Sequence, residues 1–491
     1  MTANSIPGHS EPSTPYSYGS LLTETPCSGE NSDLKDEDLG QEVELNEVYK
    51  HIGLGPAQYW AWAAVGLMGF SDYAELTVLS VIMPALRCEW GLSPEFEAAI
   101  AVTMYGAYAA AAILFGKVAD IHGRKLVVSI SMVILLLATI GSVAAQDKGF
   151  FLFCRLVAGA CIGINWTTDM CYATEFAESK LRTIGVSIAN LASLSSMFVV
   201  GAVALALLNV VGWRWFVVII SIPLIPTLVI LIWLPDSPRY LCVSGKKDKA
   251  LQALQFMARL NGTTLPENLR LECYEDEPLG NCTNLLTKEY IRSTIFLSLI
   301  FTCNVFVGFG LVVYLPLMFR TDYCGVNKEP PVHESCALLT QTDLLQMTIG
   351  TLLCLIAVVG ATFAANLIGR LSPLRIASGL QIIAVSLLFV CMDDIAKVVV
   401  AAFCGTLNVI VSFMLWIIVS ECYPTNSRSS AIGFINGLAR IGGVLGSGSV
   451  YLWLYTRPSA ILGLFISTSI MGFLATFGLN QETRDITMRD T

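Results

Sequence analysis

Two acidic residues stand in the middle of a long apolar stretch of this sequence. Asp72 and Glu75 interrupt the run from Tyr59 to Leu86, which is long enough to cross a bilayer because about 20 apolar residues suffice. Their spacing of three places both carboxyls on one face of a helix. An ionisable group at membrane depth costs about 2.5 kcal/mol or more, so it normally faces a water-filled path or a partner. The pair predicts a translocation path, with pairing to neighbouring helices as the alternative.

Other apolar stretches hold two more charged residues and a tryptophan. Asp169 follows Trp166 by three residues, and Arg440 lies at about the depth of Asp72, roughly 16 to 20 Å from the same membrane face. Arg440 and Asp72 could therefore face each other across a cavity. Because a membrane carboxyl without a partner can carry a proton, Asp72, Glu75 and Asp169 are candidates for proton coupling. Trp166 either stacks on a substrate or packs between helices.

The composition places the elements that position these residues in a lipid bilayer. Of 491 residues, 54% are hydrophobic and only 14% charged, and the mean hydropathy is +0.65. A soluble domain is far less apolar. The formal net charge of −9 arises almost entirely in the first fifty residues, where ten acidic residues are offset by two lysines. The charge predicts no nucleic-acid partner.

Twelve apolar stretches predict an all-α membrane protein. Uninterrupted apolar runs are typical of helices and not of barrel strands, because lipid offers no partner for a free backbone group. The spans are expected near residues 59–84, 97–115, 126–145, 150–173, 183–208, 214–234, 293–319, 343–368, 374–392, 396–420, 429–455 and 459–479. An even number places both termini on one side of the membrane.

The segments outside the spans predict the domain organisation and the orientation. We expect a disordered acidic tail over 1–50, a first half over 51–234, a linker over 235–292, a second half over 293–480 and a tail over 481–491. Eight Lys and Arg residues lie in the linker, and such residues are enriched in cytoplasmic loops. Both tails and the linker are therefore predicted to be cytoplasmic. Within the linker, Ala250 to Leu260 predicts a short amphipathic helix.

An internal repeat relates the two groups of spans. Five sites recur at an offset of 246 residues: Gly123-Arg124 as Gly369-Arg370, Gly159 as Gly405, Glu175 as Glu421, Arg182 as Arg428 and Asn190 as Asn436. A parallel repeat of this kind predicts two similar halves of six helices, with a substrate site between them near the bilayer midplane.

The loop between spans two and three carries a recognisable motif. The stretch from Gly116 to Lys125, GKVADIHGRK, resembles the signature loop of the major facilitator superfamily. Its second-half copy is reduced to NLIGRL, which lacks the acidic residue. The resemblance implies the major facilitator fold, a small organic solute as cargo and no cofactor.

Further motifs narrow the resemblance. The stretches Pro235–Leu241 and Glu421–Arg428 resemble the sugar-porter and organic-ion-transporter branches. Asp72 with Glu75, followed by LRCEW at 86–90, is most similar to the synaptic vesicle 2-related proteins. The vesicle protein 2 group proper has a large luminal domain between spans seven and eight, whereas here that segment is short, so the related subgroup fits better.

The resemblance also implies charge networks that close the path on the cytoplasmic side. The candidate gating residues are Asp120, Arg124, Glu175, Arg182, Glu421, Arg428 and Arg239. Breaking a buried pair typically costs about 3 to 5 kcal/mol, which shifts a two-state equilibrium strongly. The alternative is that these are loop charges near lipid headgroups.

Arg440 carries the one implication about the solute. In the organic-ion branch the corresponding place in span eleven tends to hold Arg in anion carriers, so the resemblance implies an anionic or zwitterionic solute. Internal pairing of Arg440 with Asp72 would remove that implication.

Fifteen cysteines do not predict a redox framework, because most lie inside spans or on the cytoplasmic side. Cys324 and Cys336, expected on the outer side, could form a disulfide or remain free. The sequence has no CxxC pair, no His cluster and no Ser/His/Asp arrangement, so neither a metal site nor an enzyme is expected.

Two functions remain open from the sequence. One is a secondary transporter, which the buried charges of Asp72, Glu75 and Arg440 favour. The other is a vesicle-membrane protein of transporter fold that acts mainly in binding or trafficking. Tyr18, in YGSL, has the spacing of a tyrosine sorting signal for an adaptor, although four-residue matches also arise by chance. The expected location is an intracellular vesicle or the plasma membrane.

Overall fold

The structure, a computed structural model, describes residues 42–176, 182–266, 269–272, 287, 290–318, 340–390, 394–423, 425–453 and 457–479. In these ranges the chain forms sixteen α-helices, one π-helical turn and two short strands. They are β1 (Glu42–Glu44), α1 (Leu45–Ile52), α2 (Pro56–Trp90), α3 (Pro94–His122), α4 (Arg124–Ala144), α5 (Lys148–Glu175), α6 (Arg182–Val203), the π-helical turn Ala204–Leu208, α7 (Asn209–Ser221), α8 (Leu224–Trp233), α9 (Pro238–Val243), α10 (Lys247–Asn261), β2 (Arg270–Glu272), α11 (Ile291–Met318), α12 (Gln341–Ile368), α13 (Leu371–Leu387), α14 (Asp394–Cys422), α15 (Thr425–Trp453) and α16 (Pro458–Thr476).

Twelve membrane spans follow from the helices of the described ranges. Eight helical runs are long and apolar enough to cross a membrane by length and composition, and one of them, Ser187–Trp233, contains two spans. The apolar parts of α12 and α13 are shorter, at Thr348–Gly360 and Leu371–Leu387. The remaining span is α15, which carries Arg440 near its middle. The predicted count of twelve and the all-α class are confirmed.

The fifth and sixth spans differ in detail from the expectation of two plain helices. A π-helical turn follows α6, and Gly212 inside α7 has a left-handed backbone with φ of +77°. Glycine adopts this conformation without the clash that a Cβ would cause. The chain therefore reverses at Gly212, and a second interruption at Pro223 separates α7 from α8.

Helices α2 to α8 pack against one another, as do α11 to α16, and the two groups meet along two seams. In the seam between α3 and α15, a Cβ at Gly433 would lie only 3.1 Å from the carbonyl oxygen of Ala112. In the seam between α6 and α12, Gly201 lies against Thr348. Small residues let backbones approach closely in membrane bundles. These seams bring residues of α2, α3 and α5 close to residues of α11, α14 and α15.

The repeat is visible in the backbone as well as in the sequence. Gly123, which ends α3, has φ of +102°, and Gly369, after α12, has φ of +93°. Both positions need a residue without a Cβ to reverse the chain. The corresponding pair Gly159 and Gly405 lies on α5 and α14, facing α3 and α12 respectively.

A small layer covers the end of the bundle at which α2 begins and α5 ends, called here the linker face. It consists of α1, α9, α10 and the parallel pairing of β1 with β2. The amphipathic helix expected over 250–260 is α10, which is longer and packs through Ala250, Leu254 and Met257. Residues 42 to 50, assigned from composition to the disordered tail, instead form β1 and most of α1. Their few apolar residues are buried, including Val48 and Tyr49.

Candidate functional site

The middle of α2 and the last third of α5 hold two carboxyls with almost no partners. Asp72 and Asp169 are both 0% exposed. Asn165 Nδ2 donates to Asp72 Oδ1 over 3.0 Å, whereas Asp72 Oδ2 and both oxygens of Asp169 receive no hydrogen bond. The two carboxyls interact electrostatically. Since a buried charge without donors is very costly, each is stable here only when it holds a proton or meets a cation.

Arg440 on α15 is a buried cation without an anion. Its guanidinium lies over the ring of Tyr108 at 4.4 Å and over that of Phe309 at 5.3 Å, measured to the ring centroids. Such cation–π contacts contribute about 2 kcal/mol when the cation is desolvated. Its Nε has no hydrogen-bond partner, and it forms no ion pair with any residue that the structure describes. Arg440 and Asp72 were expected to face each other across a cavity or to pair internally, and they form no ion pair in the described residues. Tyr108 interacts electrostatically with both of them.

Aromatic rings connect the two groups of helices beside the carboxyls. Trp166 on α5 contacts Tyr73 on α2, with 4.9 Å between ring centroids, and Trp416 on α14, at 5.7 Å. Trp416 in turn contacts Phe301 on α11 at 5.1 Å. The indole N–H of Trp166 has no acceptor. Trp166 therefore packs between helices, as the sequence allowed, and also presents an unused donor beside Asp169.

Glu75 lies in a different environment from Asp72 despite the spacing of three. Its Oε2 pairs with Arg155 Nη1 at 2.9 Å, and its Oε1 accepts from Thr139 at 2.6 Å. Arg155 also donates to Ser142 and stacks on Phe151. This network joins α2, α4 and α5 and provides a partner for both carboxylate oxygens. For Glu75 the structure therefore shows pairing to neighbouring helices, the alternative to a role in a translocation path.

Glu175, at the end of α5 on the linker face, forms a buried ion pair with Arg124, the first residue of α4. The expected partner of Glu175 was Arg182, whose side chain lies outside the described residues. The side chains of Asp120, Glu421 and Arg428 also lie outside them, so their gating roles stay predictions. Arg124 belongs to the loop motif, so the pair joins that motif to the end of α5.

The linker layer holds this corner of the bundle. The hydroxyl of Tyr49 donates to the carbonyl of Glu175 over 2.7 Å, and that of Tyr172 donates to the carbonyl of Pro235, also over 2.7 Å. Arg239, expected among the gating residues, donates to Asn46 at 2.6 Å and lies over the ring of Tyr49. Among the described residues, Arg239 therefore contacts α1 and forms no ion pair with an acidic residue.

The proposed disulfide between Cys324 and Cys336 lies outside the described residues. Cys88 and Cys242 are each disulfide-bonded. Four buried cysteines in the described ranges form no disulfide: Cys154, Cys161, Cys303 and Cys404. No group of three or more His, Cys, Asp or Glu residues that could hold a metal occurs in the part of the chain that the structure describes.

Three residues of the site were not singled out from the sequence as site residues. Arg155 is a charge in an apolar span, which is a usable signal in the sequence. Asn165 precedes Trp166, and its spacing of four from Asp169 places both side chains on one face of a helix. Tyr108 carried no signal, because a tyrosine in an apolar helix is unremarkable until its contacts are known.

Comparison with known proteins gives one family and one fold. The family model described as Major Facilitator Superfamily matches residues 65–447. The synaptic vesicle 2-related protein of Pongo abelii is 25% identical over 448 residues, which are 90% of this chain and 81% of that protein. The xylose transporter XylE from E. coli, partially occluded and inward open, matches with a TM-score of 0.66 at 17% identity, over 88% of this chain and 99% of its own. The human organic anion transporter MFSD10 matches with a TM-score of 0.64 at 13% identity, over 87% and 100%. The predicted fold and the predicted resemblance are both confirmed.

Proposed function

This chain belongs to the major facilitator superfamily, and from that premise we propose that it carries a small organic solute with an anionic group, coupled to protons. It is a multi-pass membrane transporter by family and fold. Alternating access between the two groups of helices would move the solute past the central cluster.

The anionic group is supported by one observation, the unpaired Arg440. A buried guanidinium contacted only by aromatic rings keeps its donors free, and a carboxylate or phosphate matches their fork geometry. Pairing with an anion from the solute would offset the desolvation of both charges. The neighbouring structure of MFSD10 is that of an organic anion transporter, and this likeness of fold is compatible with such a cargo.

Proton coupling is supported by the near absence of hydrogen-bond donors to the carboxyls of Asp72 and Asp169. The four carboxyl oxygens of the pair receive one hydrogen bond in total. Burial therefore favours the neutral carboxyls and makes the charged carboxylates costly. A change of access that admits water would reverse this preference, and a proton would then be taken up or released. The XylE structures include one titled as a proton:xylose symporter, which uses the same fold.

The gate and the location are proposed on separate grounds. Arg124 and Glu175 would form the closed gate on the linker face, which we place in the cytoplasm with both tails. The names of the relatives support a vesicle membrane. A sorting adaptor at Tyr18 would fit that location, although Tyr18 lies outside the described residues.

A thermal-shift screen of the purified full chain tests the proposal. At about 100-fold excess over Kd, a solute that binds only the folded state adds about 2.7 kcal/mol of stability. We expect carboxylates to stabilise the protein in a pH-dependent manner, and Arg440→Gln to abolish the shift. Uptake into liposomes by an imposed pH gradient then measures coupling. If carboxylates do not change the melting temperature and are not taken up into the liposomes, the result favours the alternative of a binding or trafficking protein.

A further inference from the structure

The central cluster contains unpartnered groups of both signs. Asp169 has two carboxyl oxygens without a donor, and Arg440 has no anion among the described residues. Opposite charges that are buried close together usually pair, because pairing offsets their desolvation. Here they lie on α5 and α15, in different groups of helices, and remain apart.

Tyr108 interacts with both ends of the cluster. Its ring is under the guanidinium of Arg440, at 4.4 Å, and its hydroxyl accepts a hydrogen bond from Asn436 over 3.4 Å. The same tyrosine interacts electrostatically with Asp72. One side chain thus interacts with both the positive and the negative end of the cluster, so a small molecule with two charged ends could reach both.

The negative end also has aromatic walls. Trp166 lies three residues before Asp169 on the same face of α5, and its ring contacts Tyr73 on α2 and Trp416 on α14. Aromatic faces attract ammonium groups, and carboxylates pair with them. This end of the cluster thus has the two features that recognise an organic cation, whereas the end at Arg440 recognises an anion.

We propose that the solute is zwitterionic, with its carboxylate on Arg440 and its ammonium group between Asp72 and Asp169. This assignment rests on the proposed function and adds the second charge to the solute. The ammonium group would neutralise one of the two carboxyls, and the other would keep its proton. A solute of this kind neutralises both ends of the cluster at once, which neither a simple anion nor a simple amine can do.

Binding of matched probes to the purified full-length protein distinguishes the contribution of the carboxylate from that of the ammonium group. The probes are the ω-amino acids from glycine to ε-aminocaproate, with carboxylates and alkylamines of the same chain length. At the best length we expect the amino acid to bind at least about tenfold tighter than its carboxylate, a difference of about 1.4 kcal/mol. In Asp169→Asn the amino acid should lose this advantage while the carboxylate binds as before. In Arg440→Gln both should bind weakly.

The control is Asp147→Asn, which changes an acidic residue at the start of α5, far from the cluster along the helix, and should leave every affinity unchanged. Equal affinities for amino acid and carboxylate in the unaltered protein would overturn the zwitterion and leave the proposed anion transporter standing. Binding of the amine alone would overturn the zwitterion and the anion together. Loss of the protein's fold in Asp169→Asn is checked by its melting temperature, and Asp72→Asn then provides the second test of the negative end.

Discussion

Asn165 donates a hydrogen bond to Asp72 across the contact between α5 and α2, with 3.0 Å between Nδ2 and Oδ1. This is the one hydrogen bond that either central carboxyl receives in the described part of the chain. Asn165 and Asp169 are four residues apart, so they lie on one face of α5, turned toward Asp72. The amide of Asn165 thus bonds to the Asp72 carboxyl and lies on the same helix face as the Asp169 carboxyl, which it does not bond.

Replacing Asn165 by Leu should remove this donor and leave the Asp72 carboxyl without a partner. The loss of a buried hydrogen bond with one group left behind costs about 1 to 3 kcal/mol. We expect a lower melting temperature in detergent, and recovery when Asp72→Asn is added, because the neutral amide tolerates the apolar neighbour. A double variant less stable than Asn165→Leu alone would contradict this account.

Glu75 and Asp169 should respond in opposite ways to conversion to the amide. Glu75→Gln leaves Arg155 buried and unpaired, which typically costs about 3 to 5 kcal/mol. Asp169→Asn removes a carboxyl that has no donors, so the stability should hold or rise while proton-driven uptake is lost. Thermal unfolding and liposome uptake of the two variants, measured side by side, distinguish a structural carboxylate from a coupling one. Equal destabilisation of both variants would be evidence against the division.

The pair of Arg124 and Glu175 predicts a coupling energy that a double-mutant cycle can measure. Arg124→Gln and Glu175→Gln each leave one buried charge uncompensated, so each should cost about 3 to 5 kcal/mol. The double variant should be less damaged than the sum of the two. Strict additivity of the two effects would show that the residues do not act as a pair.

Tyr49→Phe tests whether α1 stabilises the end of α5. The change deletes only the hydroxyl that donates to the Glu175 carbonyl, so we expect a loss of about 1 kcal/mol in unfolding free energy. Tyr59→Phe is the matched control, because Tyr59 is 53% exposed and its loss of a hydroxyl should have no effect. If the two variants melt at the same temperature, the hydrogen bond does not hold this corner.

Gly442 tests the close approach of α15 to α11. A Cβ at this position would overlap the backbone carbonyl oxygen of Thr302. Gly442→Ala should therefore force the helices apart and cost about 1 to 3 kcal/mol, as overpacking does. At Gly463 on α16 a Cβ would meet no atom within 4 Å, so Gly463→Ala should be neutral or slightly stabilising because alanine favours helix. The melting temperatures of the two variants should thus move in different directions or by clearly different amounts.

In the linker layer, the structure differs from what the composition predicts. Residues 42 to 50 are polar and acidic, which favours disorder, yet β1 pairs with β2 in the linker and α1 buries Val48, Tyr49 and Ile52. The partner strand lies more than two hundred residues away in the chain, so no local pattern could reveal the pairing. Short segments of this kind obtain their stability from tertiary contacts rather than from propensity.

The sequence by itself determined the class, the number of spans, the repeat and the family, because the bilayer imposes a length and an apolar composition on every span and the loop motifs are local. It also identified Asp72, Asp169 and Arg440 as buried charges. Which group meets which was decided only by the tertiary structure: Glu75 pairs with Arg155, Glu175 pairs with Arg124, and Arg440 stacks on Tyr108. The physical reason is that the spacing of two residues along a helix sets the relative direction of their side chains on that helix, and not their position relative to other helices. The rotation of each helix against its neighbours, set by packing at glycines such as Gly433 and Gly201, decides the partner.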